Sequence, residues 1–122
     1  MAARLTLRIS ELVGSGLCVA SDDGQKVHDQ IAHALRDGRK VQLSFLNVET
    51  LSPTFLNAAI GQLYAGFSES AIRNSLSVAD MAREDMFLLK RVVDNAKAYF
   101  KDPTRFAKAR AAALEEAADE TL

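Results

Sequence analysis

A chain of 122 residues that is 48% hydrophobic has room for one domain with a buried core and is too short for two ordinary domains. Its formal net charge of −1 gives no overall field that would attract nucleic acid or an anionic membrane surface, which favours protein partners. The single cysteine, Cys18, excludes an internal disulfide and predicts a cytoplasmic protein. No run approaches the roughly 18 apolar residues of a membrane span, so we expect neither a signal peptide nor a membrane anchor.

The first elements are two short strands and a helix. Alternating apolar residues in 4–10 predict a strand at or near a sheet edge, and after Gly14-Ser15-Gly16 the run 17–20 predicts a second strand. The two can form a hairpin or lie as neighbours. Residues 21–24 are rich in capping side chains, and helical spacing follows until Gly38, which predicts a helix of about four turns.

The stretch from Lys40 to Phe67 is the most informative part of the chain. Val41, Leu43 and Phe45 predict a buried strand, and the consecutive order strand, helix, strand predicts a parallel crossover. Through a turn, this strand leads into a helix over 53–67 with one broad apolar face, which we expect to lie on the sheet. A helix start after a strand points N–H groups and a positive dipole outwards, which suits an anion.

Three further elements complete the predicted domain. Ile72, Leu76 and Val78 predict a strand, and residues 86–100 have the alternating three- and four-residue spacing of a helix. Asp102-Pro103 predicts the N-cap and first position of a last helix, to about residue 118. We therefore predict a domain over 1–102 and a C-terminal helical extension over 103–122.

Side chains capable of catalysis are few and poorly placed. His28 and His33 are five residues apart, about 140° around a helix, so they are not a metal pair; His33 and Asp37 have the spacing of a surface helix pair. The apolar neighbours of Cys18 favour a buried, inert thiol. We predict no catalytic residue, metal or cofactor, and hence no enzyme.

The helix start Ser52-Pro53-Thr54-Phe55 has two interpretations. Ser52 as N-cap and Pro53 as first helical residue explain the motif without any function. Alternatively, the hydroxyl of Thr54, or that of Ser52, accepts a phosphate that the helix dipole stabilises and that changes the surface charge.

A second candidate surface is basic. It lies between residues 90 and 110, where the break at Pro103 and the expected absence of exposed aromatics between the basic residues favour a solvated face over nucleic-acid binding. Its members are Lys90, Arg91, Lys97, Lys101, Arg105 and Lys108.

Three motifs carry a resemblance to a known family. Gly14-Ser15 precedes the second strand, Asp23-Gly24 precedes the first helix, and VQLSFLNVETLSPTFLNAAIGQL begins at Val41. Over about residues 5–100 the chain resembles the STAS-like domain family of unknown function, related to the STAS domains of anti-sigma factor antagonists. The resemblance implies an α/β fold with a mixed four- to five-stranded sheet, helices packed mainly on one face, and a C-terminal helix.

The resemblance also implies a function. It implies a non-enzymatic regulatory module that binds a protein partner, such as a histidine-kinase-like ATPase that phosphorylates a Ser or Thr at this helix start. Thr54 aligns with that acceptor, while Ser52-Pro53-Thr54-Phe55 stands where antagonists usually carry Asp-Ser-Ser/Thr-Gly, and Ser44 where many relatives have Asp. The predicted partner-binding residues are Ser52, Pro53, Thr54, Phe55, Leu56 and Asn57.

A rival hypothesis belongs to another functional class. It makes the protein a scaffold or inhibitor, with a homo-oligomer as one form, that acts through its C-terminal helices without phosphorylation.

Overall fold

The computed structural model describes residues 4–101 and shows an α/β fold with five strands and six α-helices in that range. A π-helical turn, Asn57–Gly61, lies between two of the helices. The elements in chain order are β1 (Leu5–Arg8), α1 (Ile9–Val13), β2 (Leu17–Cys18), α2 (Ser21–Arg36), β3 (Val41–Ser44), β4 (Thr50–Leu51), α3 (Pro53–Leu56), α4 (Leu63–Gly66), α5 (Glu69–Ser75), β5 (Leu76–Ala79) and α6 (Arg83–Lys101).

Three strands form one parallel sheet in the order β1-β3-β5. The register aligns Leu7, Leu43 and Val78 across the sheet, and Thr6, Gln42 and Ser77 one position earlier. Because side chains alternate between the two faces of a strand, one face is apolar and the other is mostly polar. Within residues 4–101, this alternation agrees with the prediction that helices pack mainly on one face of the sheet, the apolar one.

The other two strands, β2 and β4, form a separate parallel pair in which Leu17 is opposite Thr50 and Cys18 is opposite Leu51. A single mixed sheet of four or five strands is therefore not what the structure shows. Every pairing in the described range is parallel, because each strand reaches its partner through a helix or a long connection instead of a tight hairpin.

The helices pack around the segment 53–61, which contacts both α2 and α6. Phe55, Leu56 and Leu63 are completely buried there, together with Val27 and Ile31 of α2. Gly24 lies at the crossing: a Cβ atom on it would come within 2.5 Å of the Phe55 carbonyl oxygen and 2.8 Å of the Ala58 Cβ. Only glycine therefore allows α2 to approach the segment this closely.

The long elements match the sequence prediction. The structure confirms β1 as an edge strand and confirms α6. Strand β3 is parallel to β1, but β2, the strand directly before α2, pairs with β4 and not with β3. Helix α2, which was predicted as the first helix, begins at Ser21, so Asp23-Gly24 lies in its first turn and not before it. Helix α2 ends at Arg36, and Gly38, two residues later, has a positive φ of 75°.

Four predictions for shorter elements were wrong. Ile9 and Ser10 belong to α1 instead of β1, and this helix separates β1 from β2, so the two form neither a hairpin nor a pair of neighbours. Ile72 lies in α5, before the strand that was predicted to contain it. The helix predicted over 53–67 is divided into α3, the π-helical turn and α4, and it follows β4, not β3.

None of the helices between residues 4 and 101 is both long and apolar enough to cross a membrane. The last helix predicted from Pro103, and with it the extension over 103–122, lies outside the described residues.

Candidate functional site

Two helix starts lie at the carboxyl end of the small β2-β4 sheet. Strand β2 leads through two residues into α2, and β4 leads through Ser52 into α3. Because β2 and β4 are parallel, both helices start at the same edge of this sheet. The junction predicted from sequence therefore exists, but it is built by β2 and β4 and not by the buried strand β3.

Ser52 joins the two parts of this junction. Its hydroxyl accepts a hydrogen bond from the Phe55 backbone N–H at 3.0 Å, as an N-cap does, and donates one to the Val19 carbonyl at 2.7 Å. Its backbone N–H also donates to the Cys18 carbonyl at 3.1 Å. The predicted N-cap is confirmed, and the hydroxyl of Ser52 is fully engaged in holding α3 against β2.

The six residues of the predicted partner surface divide into exposed and buried members. Pro53, Thr54 and Asn57 are exposed, and the Thr54 hydroxyl makes no hydrogen bond with any other residue in 4–101. Phe55 and Leu56 are both 0% exposed and belong to the core. They fix the position of the helix start, but in the folded protein they cannot form part of a contact surface.

Sequence reasoning missed two exposed apolar residues beside the helix start. Leu17 is 55% exposed and Val19 is 42% exposed, whereas Cys18 between them is 0% exposed. The hydrogen bond between Ser52 and the Val19 carbonyl holds the Val19 backbone against the start of α3, and Leu17 lies two residues earlier, opposite Thr50. The sequence contained a signal for this exposure. Residues i and i+2 of a strand share a face, so Leu17 and Val19 lie on the face opposite to Cys18, which was expected to be buried. We call Leu17, Val19, Pro53 and Thr54 the junction surface.

The backbone after the helix start departs from α-helical geometry. The π-helical turn Asn57–Gly61 follows α3 directly, and a Cβ atom on Gly61 would lie 2.5 Å from the Asn57 side-chain oxygen. Asn57 therefore folds back over Gly61 instead of pointing straight outwards. Single π turns of this kind are frequent at functional sites, so this one lends support to the junction as a site.

The thiol beneath the junction is poorly suited to nucleophilic chemistry. Burial raises the pKa of Cys18, and the negative charge of Asp23 raises it further. A thiol with a raised pKa carries little thiolate at neutral pH, which is the nucleophilic form. This agrees with the inert, buried cysteine expected from the sequence.

The predicted basic surface is only partly available for binding. On α6, Lys90 pairs with Asp94 at 3.0 Å and Lys97 pairs with Glu69 at 3.5 Å, while Arg91 and Lys101 are exposed. The other two predicted members, Arg105 and Lys108, lie outside the described residues. Helix α6 also exposes three large hydrophobic side chains, Met86 at 45%, Phe87 at 64% and Tyr99 at 42%. Tyr99 lies between Lys97 and Lys101, so the expected absence of exposed aromatics between the basic residues was wrong.

Ser44 occupies a buried position at the end of β3. Its hydroxyl donates to the Asp80 carboxylate at 2.8 Å, and Asp80 follows β5 with a positive φ of 61°. A non-glycine residue in this conformation is uncommon and carries some strain. The buried Ser44 hydroxyl is therefore held by an acidic side chain that directly follows the neighbouring strand.

The two histidines of α2 have separate environments. His33 lies 3.7 Å from Asp37, which confirms the predicted surface pair on α2. The buried Nδ1 atom of His28 has no hydrogen-bond partner within 4–101. In the same range, no group of three or more His, Cys, Asp or Glu side chains is placed to hold a metal ion.

Part of the chain matches the model of a known protein family. Residues 23–86, just over half of the chain, match the model of a family described as a STAS-like domain of unknown function (DUF4325). The match runs from the first turn of α2 to the first turn of α6 and includes Ser52 to Asn57, but it begins after Leu17 and Val19. No curated protein and no solved structure matches the chain.

Proposed function

This chain belongs to the STAS-like domain family of unknown function, and we propose that it is a non-enzymatic, cytoplasmic regulatory module that binds a protein partner through the junction surface. The first candidate for that partner is a histidine-kinase-like ATPase, because the resemblance to anti-sigma factor antagonists implies one.

The observation that carries this proposal is the exposure of Leu17 and Val19 beside the helix start. Exposed apolar side chains that lie together at a fixed site favour protein contacts, because a partner removes their surface from water. The backbone beneath them is held by two hydrogen bonds of Ser52 and by the buried Phe55. A partner would therefore meet a preformed surface and lose little free energy in ordering it.

Thr54 is the residue of this surface that we propose as the phosphate acceptor. It is exposed, its hydroxyl makes no hydrogen bond in the described range, and it lies in the first turn of a helical segment. A phosphate would bring a charge of about −1.5 to −2 next to two apolar contact residues, which opposes docking. We therefore propose that phosphorylation releases the partner. Ser52 is the weaker candidate, because a phosphate on its hydroxyl would break the bonds to Phe55 and Val19.

The test compares two matched variants of the full chain. A partner is first captured on the immobilised wild-type protein, purified and identified, and its affinity is then measured for Leu17→Ser and Phe87→Ser. Both changes remove one exposed, large apolar side chain, so they differ only in which surface they alter. We expect Leu17→Ser to weaken binding by about tenfold or more, which corresponds to about 1.4 kcal/mol, and Phe87→Ser to leave it unchanged.

A second pair of variants addresses the proposed switch. Thr54→Glu should weaken binding and Thr54→Ala should not, and intact-protein mass spectrometry after incubation with the partner and ATP should show a phosphate that Thr54→Ala abolishes. Unchanged affinity in Leu17→Ser and Thr54→Glu together would exclude the junction surface as the docking site.

The scaffold or inhibitor hypothesis is favoured by a different observation, the exposure of Phe87 and Met86 on α6 next to the exposed Arg91. On this hypothesis a partner or a second copy of the chain docks on α6 without phosphorylation. The same two variants separate the hypotheses, because here Phe87→Ser should abolish binding or self-association, and Leu17→Ser should not.

A further inference from the structure

A recess of about 230 Å³ opens at the amino end of the three-stranded sheet. All three strands are parallel, so the residues that precede them meet at one edge. The Leu5 N–H donates to the Lys40 carbonyl at 2.7 Å, which brings Arg4 and Lys40 next to each other. Arg73, in the last turn of α5 just before β5, also lines the recess.

Among residues 4–101, no carboxylate lines the recess, and most of its lining side chains carry hydrogen-bond donors. Besides the three cationic side chains, its polar lining consists of Asn74, Ser75 and Ser77. None of these six side chains forms a hydrogen bond or an ion pair with another residue in 4–101. Glu69, one turn before Arg73 on α5, pairs with Lys97 instead. Three positive charges thus lie together without a described counter-charge.

We propose that this recess binds the phosphate group of a small phosphorylated molecule. Guanidinium groups hold phosphate oxygens by paired hydrogen bonds, Lys40 adds a point charge, and the serine and asparagine side chains supply neutral donors for the remaining oxygens. The recess is smaller than the roughly 300–1,000 Å³ of pockets that enclose drug-sized ligands. It therefore accommodates the phosphate and a short attached group, and any larger part of the ligand lies in solvent.

The experiment is a titration of the full-length, isotope-labelled protein with inorganic phosphate at constant ionic strength, followed by amide chemical shifts. We expect saturable shifts centred on residues 40 and 74–77, competition by sulfate, and weaker binding at higher salt, because the site is exposed and its attraction is screened. The double variant Arg4→Gln/Arg73→Gln should bind phosphate at least about tenfold more weakly.

The matched control is Arg83→Gln/Arg91→Gln, which removes two exposed arginines of α6 and changes the net charge equally. Its phosphate affinity should stay within about twofold of the wild-type value. An equal loss in both double variants would show a general charge effect and overturn the proposal. The absence of saturable binding to the full chain would also overturn it, whether the recess is empty or is filled by carboxylates of the chain itself.

Discussion

The substitution Gly24→Ala tests whether the close crossing of α2 with the segment 53–61 positions the junction. The added methyl group would lie 2.5 Å from the Phe55 carbonyl oxygen, 2.8 Å from the Ala58 Cβ and 3.3 Å from the Ala59 nitrogen. Two of these three neighbours are backbone atoms, so a side-chain rotation cannot relieve the overlap. Since unbonded carbon atoms prefer separations of about 3.5–4.0 Å, the helices must move apart by roughly 1 Å.

The magnitude follows from two opposing effects. Overpacking of a close-packed core costs about 1–3 kcal/mol, whereas replacing glycine by alanine within a helix stabilises the folded state by about 0.5–1 kcal/mol. The overlap is severe and involves the backbone, so it should dominate. We expect Gly24→Ala to lower the free energy of unfolding by about 1–2 kcal/mol.

Urea denaturation measures this effect, and Gly66→Ala is the matched control. Gly66 is also helical, but a Cβ atom added there would meet nothing within 4 Å, so only the helix-propensity effect remains. We expect the urea midpoint to fall by roughly 0.5–1 M for Gly24→Ala and to rise slightly for Gly66→Ala, with unchanged slopes. Equal midpoint shifts in the two variants would refute the packing argument, because they would leave backbone propensity as the common cause.

Further predictions concern the hydroxyl groups and the thiol of the junction. Ser52→Ala removes the N-cap and the bond to β2 and should lower the free energy of unfolding by about 1–2 kcal/mol in urea denaturation, whereas the exposed Thr54→Ala should change it by less than about 0.5 kcal/mol. Because the pKa of Cys18 is raised above its ordinary value of 9.0 in the folded state, its stabilising contribution is complete below that value and is lost as the pH rises above it. Cys18→Ala should lack this part of the alkaline slope in urea midpoints measured against pH. Alkylation of the wild-type thiol with iodoacetamide at pH 8 should be slow without urea and at least about 100-fold faster in the unfolded chain; fast alkylation of the folded protein would contradict its burial.

The long elements could be predicted from the sequence because their periodicity extends over several turns. Helices α2 and α6 contain 16 and 19 residues, so a few mismatched positions do not hide the helical spacing. The strand β3 was predictable for another reason, since its apolar positions alternate and Gly38 and the turn after Phe45 bound it on both sides.

Several short elements could not be predicted because local pattern does not determine them. The strand predicted in 17–20 is confirmed as β2, but the two residues of β4 have no strand pattern of their own, and only the pairing with β2 defines them. Ile9 continues the alternation of β1 but starts a five-residue helix, in which its side chain is completely buried. Tertiary packing overrides the period-2 pattern there, and the helix it creates removes the expected pairing of β1 with β2.

The site was predictable in its backbone and less so in its surface. The N-cap role of Ser52 and the exposure of Thr54 follow from their positions at a helix start. Phe55 and Leu56 were assigned to the surface because they adjoin that start, yet the segment packs between α2 and α6 and buries both. Leu17 lies in β2 and Val19 follows this strand, about 35 residues before the helix start in the chain, and only the β2-β4 pairing brings this segment beside α3.

The hydrogen bonds of Ser52 and the contact at Gly24 hold β2, α2 and α3 in one arrangement, and this determines how a phosphate on Thr54 could act. The Thr54 hydroxyl supports none of these contacts, so its modification changes the charge of the surface and leaves the packing beneath it intact. Thr54→Glu should therefore reduce partner affinity while the urea midpoint stays within about 0.3 M of the wild-type value, since surface substitutions rarely exceed about 0.5 kcal/mol. A large loss of stability in Thr54→Glu would instead indicate that the modification acts by opening the helix start.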